Sequence, residues 1–512
     1  MTFRSILFFN SENISQDEGQ LKIPDFFHDL NLDQVIDAVI SGKEEYNLKP
    51  FFYRCQCTSD EILFRQEIMS ELENPELKRH FDRFAGSMQN MRKQLALLDK
   101  FHHKYQKERL FLDVVEIYCD ALNELSRNLS NGRLKSQGLS NFRDYLKEYV
   151  LSETFTLLFN ETKSLVASLS SVKYCIYIDG LKVQVRNYNS EADYTREVED
   201  TFARFKEGSV KDYRITFSNP LVMNQVEELI LDGVAQLYPD LFAKLDVFFE
   251  INNGFNDKVI STFDREIQFY LAYLDYISIF KEAGLHFCYP LISDEKIDIY
   301  AQGSFDLALA FRHIHEKSAI VSNDFFLKDK ERVLVISGPN QGGKTTFARL
   351  FGQIHYLAGI GCPVPGSNAR LFLYDRLFTH FEKEENIRNL RGKLQDELFR
   401  IHRIISQSTG DSLIIINEIL TSTTLQDQIF LSKKIMHQIN DLDLYCVWVT
   451  FIDELALYSE STVSMVSSIV PGDPALRTFK ITRKPPDGLA YAQSIAEKHR
   501  VTYELIMDRI KS

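Results

Sequence analysis

Gly338-Pro339-Asn340-Gln341-Gly342-Gly343-Lys344-Thr345-Thr346 is the stretch that decides the fold. Its first eight residues fit G-x4-G-K-[ST], the pattern of a loop that wraps phosphates. An apolar strand, VLVIS at 333–337, leads in, and KTTFARLFGQIHYLAG at 344–359 reads as the helix leading out. Each residue type has a physical reason. Glycines let the backbone curl until its N–H groups face one centre. The helix N-terminus adds the positive end of a dipole. Lys344 supplies a point charge toward the β- and γ-phosphates, and the Thr345 hydroxyl is a ligand for Mg²⁺. The candidate nucleotide-binding residues are therefore Gly338, Pro339, Asn340, Gln341, Gly342, Gly343, Lys344, Thr345 and Thr346.

A phosphate loop needs a second strand that ends in acid. Leu413-Ile414-Ile415-Ile416-Asn417-Glu418 provides it. Glu418 is the candidate catalytic residue, placed to orient or deprotonate an attacking water. The position before it usually carries an Asp that helps hold Mg²⁺. Here it is Asn417, which offers an amide oxygen without negative charge. The metal candidates are Thr345 and Asn417.

Working outward, short apolar strands alternate with helices from about residue 330 onward. Val333–Ile336, Leu413–Ile416 and Cys446–Val449 are the strands, and the alternation argues for a mostly parallel sheet covered by helices. Upstream, residues 60–300 read as mainly helical, with apolar positions such as Val114, Ile117, Leu122 and Leu125 at roughly helical spacing. SVKYCIYIDGLKVQVR at 171–186 interrupts them. Two β-branched and aromatic runs flank Asp179-Gly180, a strong hairpin signal. The expected organisation is a small N-terminal region at 1–60, a helical region at 61–300 with a β-rich insert near 171–215, and a nucleotide-binding domain at 301–512.

The chain has 512 residues, 59 Lys+Arg against 72 Asp+Glu, and a net charge of −13. The acid is uneven. Residues 331–512 hold 21 basic and 20 acidic side chains, so residues 1–330 carry a net −14. A general polyanion binder would show the opposite sign. The seven cysteines are scattered, and Cys55 and Cys57 are too close for a zinc C-x2-C. Reduced thiols, no signal peptide and no apolar run near 18 residues give the expectation of a cytoplasmic protein without a membrane span.

Several stretches together resemble the MutS family, the ABC-type ATPases of DNA mismatch repair. GPNQGGKTT at 338–346 is similar to the family's GPNMGGKST, and GCPVPG at 361–366 to its GSYVPA. DRLFTHF at 375–381 resembles DRIFTRV, LIIINEILTSTTLQD at 413–427 resembles LVLMDEIGRGTSTYD, and VTFIDEL at 449–455 resembles ATHYHEL. SNDFFL at 322–327 resembles the stretch ahead of the family's ATPase strand. The likeness covers about 320–510, and residues 60–300 resemble the family's helical core and lever.

The resemblance implies an α/β P-loop, ABC-type ATPase domain on a mainly α-helical core and lever. It also implies ATP and Mg²⁺ as cofactors, DNA as partner, and a homodimer. In this family a Ser-Thr-Phe-x-x-Glu stretch completes the neighbouring subunit's nucleotide site. Here it lies within LRGKLQDEL, where Gly392 and Lys393 replace Ser and Thr and Glu397 is retained. Those three are the residues expected in trans.

Other departures matter. The family Asp is Asn417, and the His of A-T-H is Phe451. The mismatch-reading Phe-x-Glu occurs only at Phe159, Phe205, Phe248 and Phe280, inside the helical region or its insert, where it is incidental. Residues 163–215 hold nine basic and eight acidic side chains, which lacks a polyphosphate grip. The expectation is an ATP-dependent DNA-binding ATPase of repair or recombination, without the mismatch-recognition and connector domains, working as a nucleotide-switched dimer. The alternative is a nucleotide-gated binding switch with weak hydrolysis that acts on ribosomes or a protein partner.

Overall fold

The computed structural model describes residues 3–9, 22–54, 58–180, 182–191, 197, 223–382, 392–470, 473–486 and 506–507. By contact the chain forms two compact units. One comprises 1–3, 79–133 and 141–264, and the other 4–78, 134–140 and 265–512. The second unit thus takes in residues 265–300, which the sequence groups with the helical region, and most of the first 78 residues.

Among the described residues, the first unit is helical apart from one hairpin. Its long helix Lys104–Asn131 buries Phe111 against Phe248, Phe249 and Phe255, each in edge-to-face geometry. Helix Gln225–Leu237 starts with a capping box: Asn224 accepts from Glu227 N, and Glu227 reaches back to Asn224 N. The hairpin expected at Asp179-Gly180 pairs Tyr174–Asp179 with Lys182–Asn187, closing on Asp179 opposite Lys182. Gly180 takes a left-handed φ of 59° at the turn. The rest of the expected insert, apart from 188–191 and 197, lies outside the described residues. Phe159, Phe248 and Phe280 all sit in helices, and Phe205 lies outside the described residues.

The second unit is built on a six-stranded sheet. Its order is Leu377–Phe381, Leu413–Asn417, Tyr445–Val449, Val333–Ser337, Thr462–Val470 and Asp473–Arg483. The first five run parallel and the last is antiparallel. Three central strands are buried along their whole length, as continuous apolar runs in a parallel sheet must be. Side chains alternate between faces. Ile414, Ile416 and Trp448 pack toward helices Lys393–Gln407 and Leu425–Leu442. Ile415 points the other way, onto Gly352 of helix Lys344–Gly359. A second sheet orders Leu291–Ser293, Asn368–Phe372, Ile299–Ser304 and Asn323–Leu327.

This architecture sets the site. Strands Val333–Ser337 and Leu413–Asn417 flank Tyr445–Val449, with Ile336 and Asn417 both opposite Val449. Their carboxyl ends therefore open side by side, where ligands bind in open parallel sheets. No helix among the described residues is long and apolar enough to cross a membrane.

Candidate functional site

The loop after Val333–Ser337 has left-handed φ at Gly338 (118°), Gln341 (59°) and Gly343 (90°). Gly343 occupies the N-cap of helix Lys344–Gly359, and no side chain caps that end. The first-turn N–H groups are thus left for an anion. Space enforces glycine at 342. A Cβ there would lie 2.2 Å from Ser467 Oγ and 3.0 Å from the Pro339 carbonyl oxygen. The Ser467 hydroxyl donates to the Gly342 carbonyl at 2.7 Å, and Arg477 Nε donates to the Asn340 carbonyl at 3.2 Å.

Lys344 is only 4% exposed. Its Nζ donates to the carbonyls of Gly338 at 2.9 Å and Pro339 at 3.2 Å. Glu418 Oε1 lies 3.7 Å away, and the Phe451 ring centroid 4.1 Å. Burial pushes the Lys344 ammonium below its ordinary range, while the Glu418 carboxylate pulls it back up. A buried cation held mainly by neutral carbonyls is prepared for an incoming anion.

Thr345 Oγ1 donates to Asn417 Oδ1 at 2.9 Å. The expected metal pair thus meets, as two neutral oxygens. Thr345, Asn417 and the loop fit a phosphate-bound Mg²⁺ only if phosphate oxygens supply the charge. Among the described residues no group of three His, Cys, Asp or Glu side chains could hold a metal alone.

A cavity of about 680 Å³ extends from Asn340–Thr346 and Glu418. Its lining also includes Phe305, Leu309, Ala310, Ile320, Val321 and Phe479, with Asp306, His313 and Asn323 among them. This size and mostly apolar wall suit a nucleotide. The Asn323 amide ties the wall to the outer strand: Nδ2 donates to the Phe479 carbonyl at 3.2 Å, and Ile481 N donates to Oδ1 at 2.8 Å. Phe479 has φ 57°, rare for an aromatic residue.

The residues expected in trans lie as follows. Gly392 caps helix Lys393–Gln407. Lys393 Nζ meets Glu382 Oε1 at 2.5 Å. Glu397 is turned into its own chain: it is 5% exposed and accepts from Leu420 N at 2.9 Å. Leu390 and Arg391 lie outside the described residues. Ser467, Phe479 and the 305–321 wall were not read from sequence, since no local motif marks them.

Residues 334–494 match the family model of MutS domain V. That segment is similar to MutS domain V, and the chain is MutS-like. "DNA mismatch repair protein MutS" of Fervidobacterium nodosum is 25% identical over 236 residues, 46% of this chain and 27% of that protein. The protein of the same name from Rickettsia bellii is 32% identical over 143 residues, 28% of this chain and 16% of its own length. That from Caldanaerobacter subterraneus subsp. tengcongensis is 23% identical over 369 residues, 69% of this chain and 40% of its own length. The chain spans less than half the length of these relatives. Within this segment the loop, Lys344, Thr345 and Glu418 line the cavity, and Asn417 adjoins it through Thr345.

Proposed function

We propose that this MutS-like chain binds ATP with Mg²⁺ at 338–346 and hydrolyses it slowly, as a nucleotide-switched homodimer acting on DNA in repair or recombination. One observation carries the reading: a buried Lys344 in a curled glycine loop, facing Glu418 across the end of a parallel sheet. The loop N–H groups and Lys344 hold the phosphates. Thr345 Oγ1 and Asn417 Oδ1 would hold Mg²⁺, which neutralises charge on the transferring phosphoryl group. Glu418 takes the proton of the attacking water at its carboxylate. Gly392 and Lys393 of one copy face the nucleotide of the other, in an ABC-type arrangement whose closure moves the helical levers.

A second reading is favoured by Asn417. Its amide brings no negative charge to the metal, which suits a switch that binds ATP, hydrolyses little and acts on a ribosome or protein partner. The names of the relatives support DNA instead. Steady-state ATPase with and without branched or mismatched DNA separates the two, alongside DNA retention by the ATP form. Stimulation and retention are expected, and the absence of both would leave the second reading. Static light scattering with ATP should show dimers; monomers alone would end the dimer switch.

A further inference from the structure

Glu418 stands on an unusual piece of backbone. Glu418 and Leu420 both take left-handed φ, 50° and 60°, although neither is glycine. A left-handed φ at a non-glycine residue is strained and persists only where its surroundings hold it. Three contacts do so. Glu418 N donates to the Val449 carbonyl at 3.0 Å. Gln428 Nε2 donates to the Ile419 carbonyl at 3.0 Å. Leu420 N donates to Glu397 Oε2 at 2.9 Å, and both partners are buried, Leu420 at 0% exposure and Glu397 at 5%.

The Glu397 brace differs from the other two in origin. It comes from helix Lys393–Gln407, which is anchored in the core through Ile401 and Ile404. A carboxylate is a costly group to bury, and burial pushes this one above its ordinary range. A hydrogen bond between a charged acceptor and a backbone N–H is also among the stronger kinds. Its carboxylate accepts a hydrogen bond from the turn that aims Glu418.

We infer that Glu397 is a positioning residue for hydrolysis within its own chain: it holds the Glu418–Leu420 turn so that the Glu418 carboxylate faces Lys344 and the phosphate loop. This rests on the ATPase reading above. It differs from the role in trans that the family pattern suggests for the same residue. A neighbour's nucleotide would need the carboxylate at the surface, whereas here it points inward. Because Lys393 opens the same helix, the helix also offers a mechanical link between its half-buried first turn and Glu418.

The test compares Glu397→Leu, which removes the acceptor, with Glu397→Gln, which keeps an acceptor oxygen and loses the charge. Three quantities are read on the full chain: ATP affinity by calorimetry, single-turnover hydrolysis, and amide hydrogen exchange at 418–420. Glu397→Leu is expected to leave Kd for ATP within about threefold and to slow the single-turnover step about 100-fold, the loss typical of an ångström-scale misplacement. It should also speed exchange at Leu420. Glu397→Gln should restore slow exchange and most of the rate. Gln428→Ala, a milder loss at the same turn, should move exchange and rate in the same direction, which keeps the test valid if Glu397→Leu fails to fold. Unchanged exchange in Glu397→Leu, or a hydrolysis rate that stays normal while exchange rises, overturns the inference. If the wild-type chain hydrolyses nothing, the ATPase reading falls, and the exchange data still decide whether Glu397 holds the turn.

Discussion

Thr345 Oγ1 donates its hydrogen bond to Asn417 Oδ1, across 72 positions of sequence and 2.9 Å of space. The two belong to the phosphate-loop helix and to the end of the second strand, so the sheet itself brings them together. An aspartate at 417 would accept the same bond in the same volume and add a charge. Asn417 is 8% exposed, so that charge would be poorly hydrated. Asn417→Asp is therefore expected to lower the melting temperature of the nucleotide-free protein, with Mg²⁺ and ATP restoring it. Steady-state hydrolysis should rise about tenfold, equivalent to ~1.4 kcal/mol off the barrier. An unchanged rate would show that the missing charge does not limit hydrolysis.

Gly342 and Ser467 make a lock between the loop and the fifth strand of the sheet. The Ser467 hydroxyl is fully buried and donates to the Gly342 carbonyl at 2.7 Å. Ser467→Ala should cost about 1 kcal/mol of stability, as a buried neutral hydrogen bond does, and weaken ATP binding only a few-fold. Gly342→Ala should abolish ATP binding, because its Cβ meets a backbone oxygen of Pro339 at 3.0 Å as well as the serine. The double variant Gly342→Ala/Ser467→Ala separates the two clashes in a binding titration. Recovery of binding would mean that the hydroxyl alone requires glycine at 342.

Most of the site floor was legible in the sequence, because it is written locally. Val333–Ser337 and Leu413–Asn417 are apolar runs that only a doubly covered parallel strand explains. Gly343-Lys344-Thr345 announces the helix that follows it. The hairpin around Asp179-Gly180 is local in the same sense. The roof was not legible. Ser467 and Phe479 reach the loop through strand pairing at long range, and nothing in their neighbours marks them; Asn323 lies in SNDFFL, a stretch marked by its likeness to the family, but its bonds to 479 and 481 are not written there. The left-handed φ of Glu418, Leu420 and Phe479 has no glycine or asparagine to signal it. Glu397 was visible as a motif residue, but the direction of its side chain follows from the register of helix Lys393–Gln407 on the sheet.

Phe479 combines strain with a place on the cavity wall. Its φ of 57° is held by Asn323, which accepts from Ile481 N and donates to the Phe479 carbonyl. The ring is 49% exposed and lines the cavity. Phe479→Ala removes the ring and keeps the strain of a Cβ in the left-handed region. Phe479→Gly removes both. The glycine variant should be the more stable of the two by about 1 kcal/mol in denaturant titrations, whereas both should bind ATP several-fold more weakly than wild type. Equal stability of the two would mean that the strand relaxes around Phe479 and stores no strain there.

In the helical unit, Glu108 is 4% exposed and lies beside Asp246, with Lys104 Nζ at 2.7 Å from Asp246 and 3.9 Å from Glu108. Burial and the neighbouring Asp246 push the Glu108 carboxyl from 4.5 up to about 8, against the pull of Lys104. The sign follows. The folded chain keeps a proton that the unfolded chain releases, so the stabilisation is complete below pH 4.5 and is lost as pH rises through 8. Between pH 6 and 8 the loss is about 2 kcal/mol, or roughly 5 °C in the unfolding transition of this unit. Glu108→Gln carries a permanent neutral group of the same shape and should flatten that slope, melting higher than wild type at pH 8. Calorimetric melts of both proteins at pH 6, 7 and 8 check it: parallel curves would mean that Glu108 titrates like a surface carboxyl and that Lys104 alone keeps it ionised in the fold.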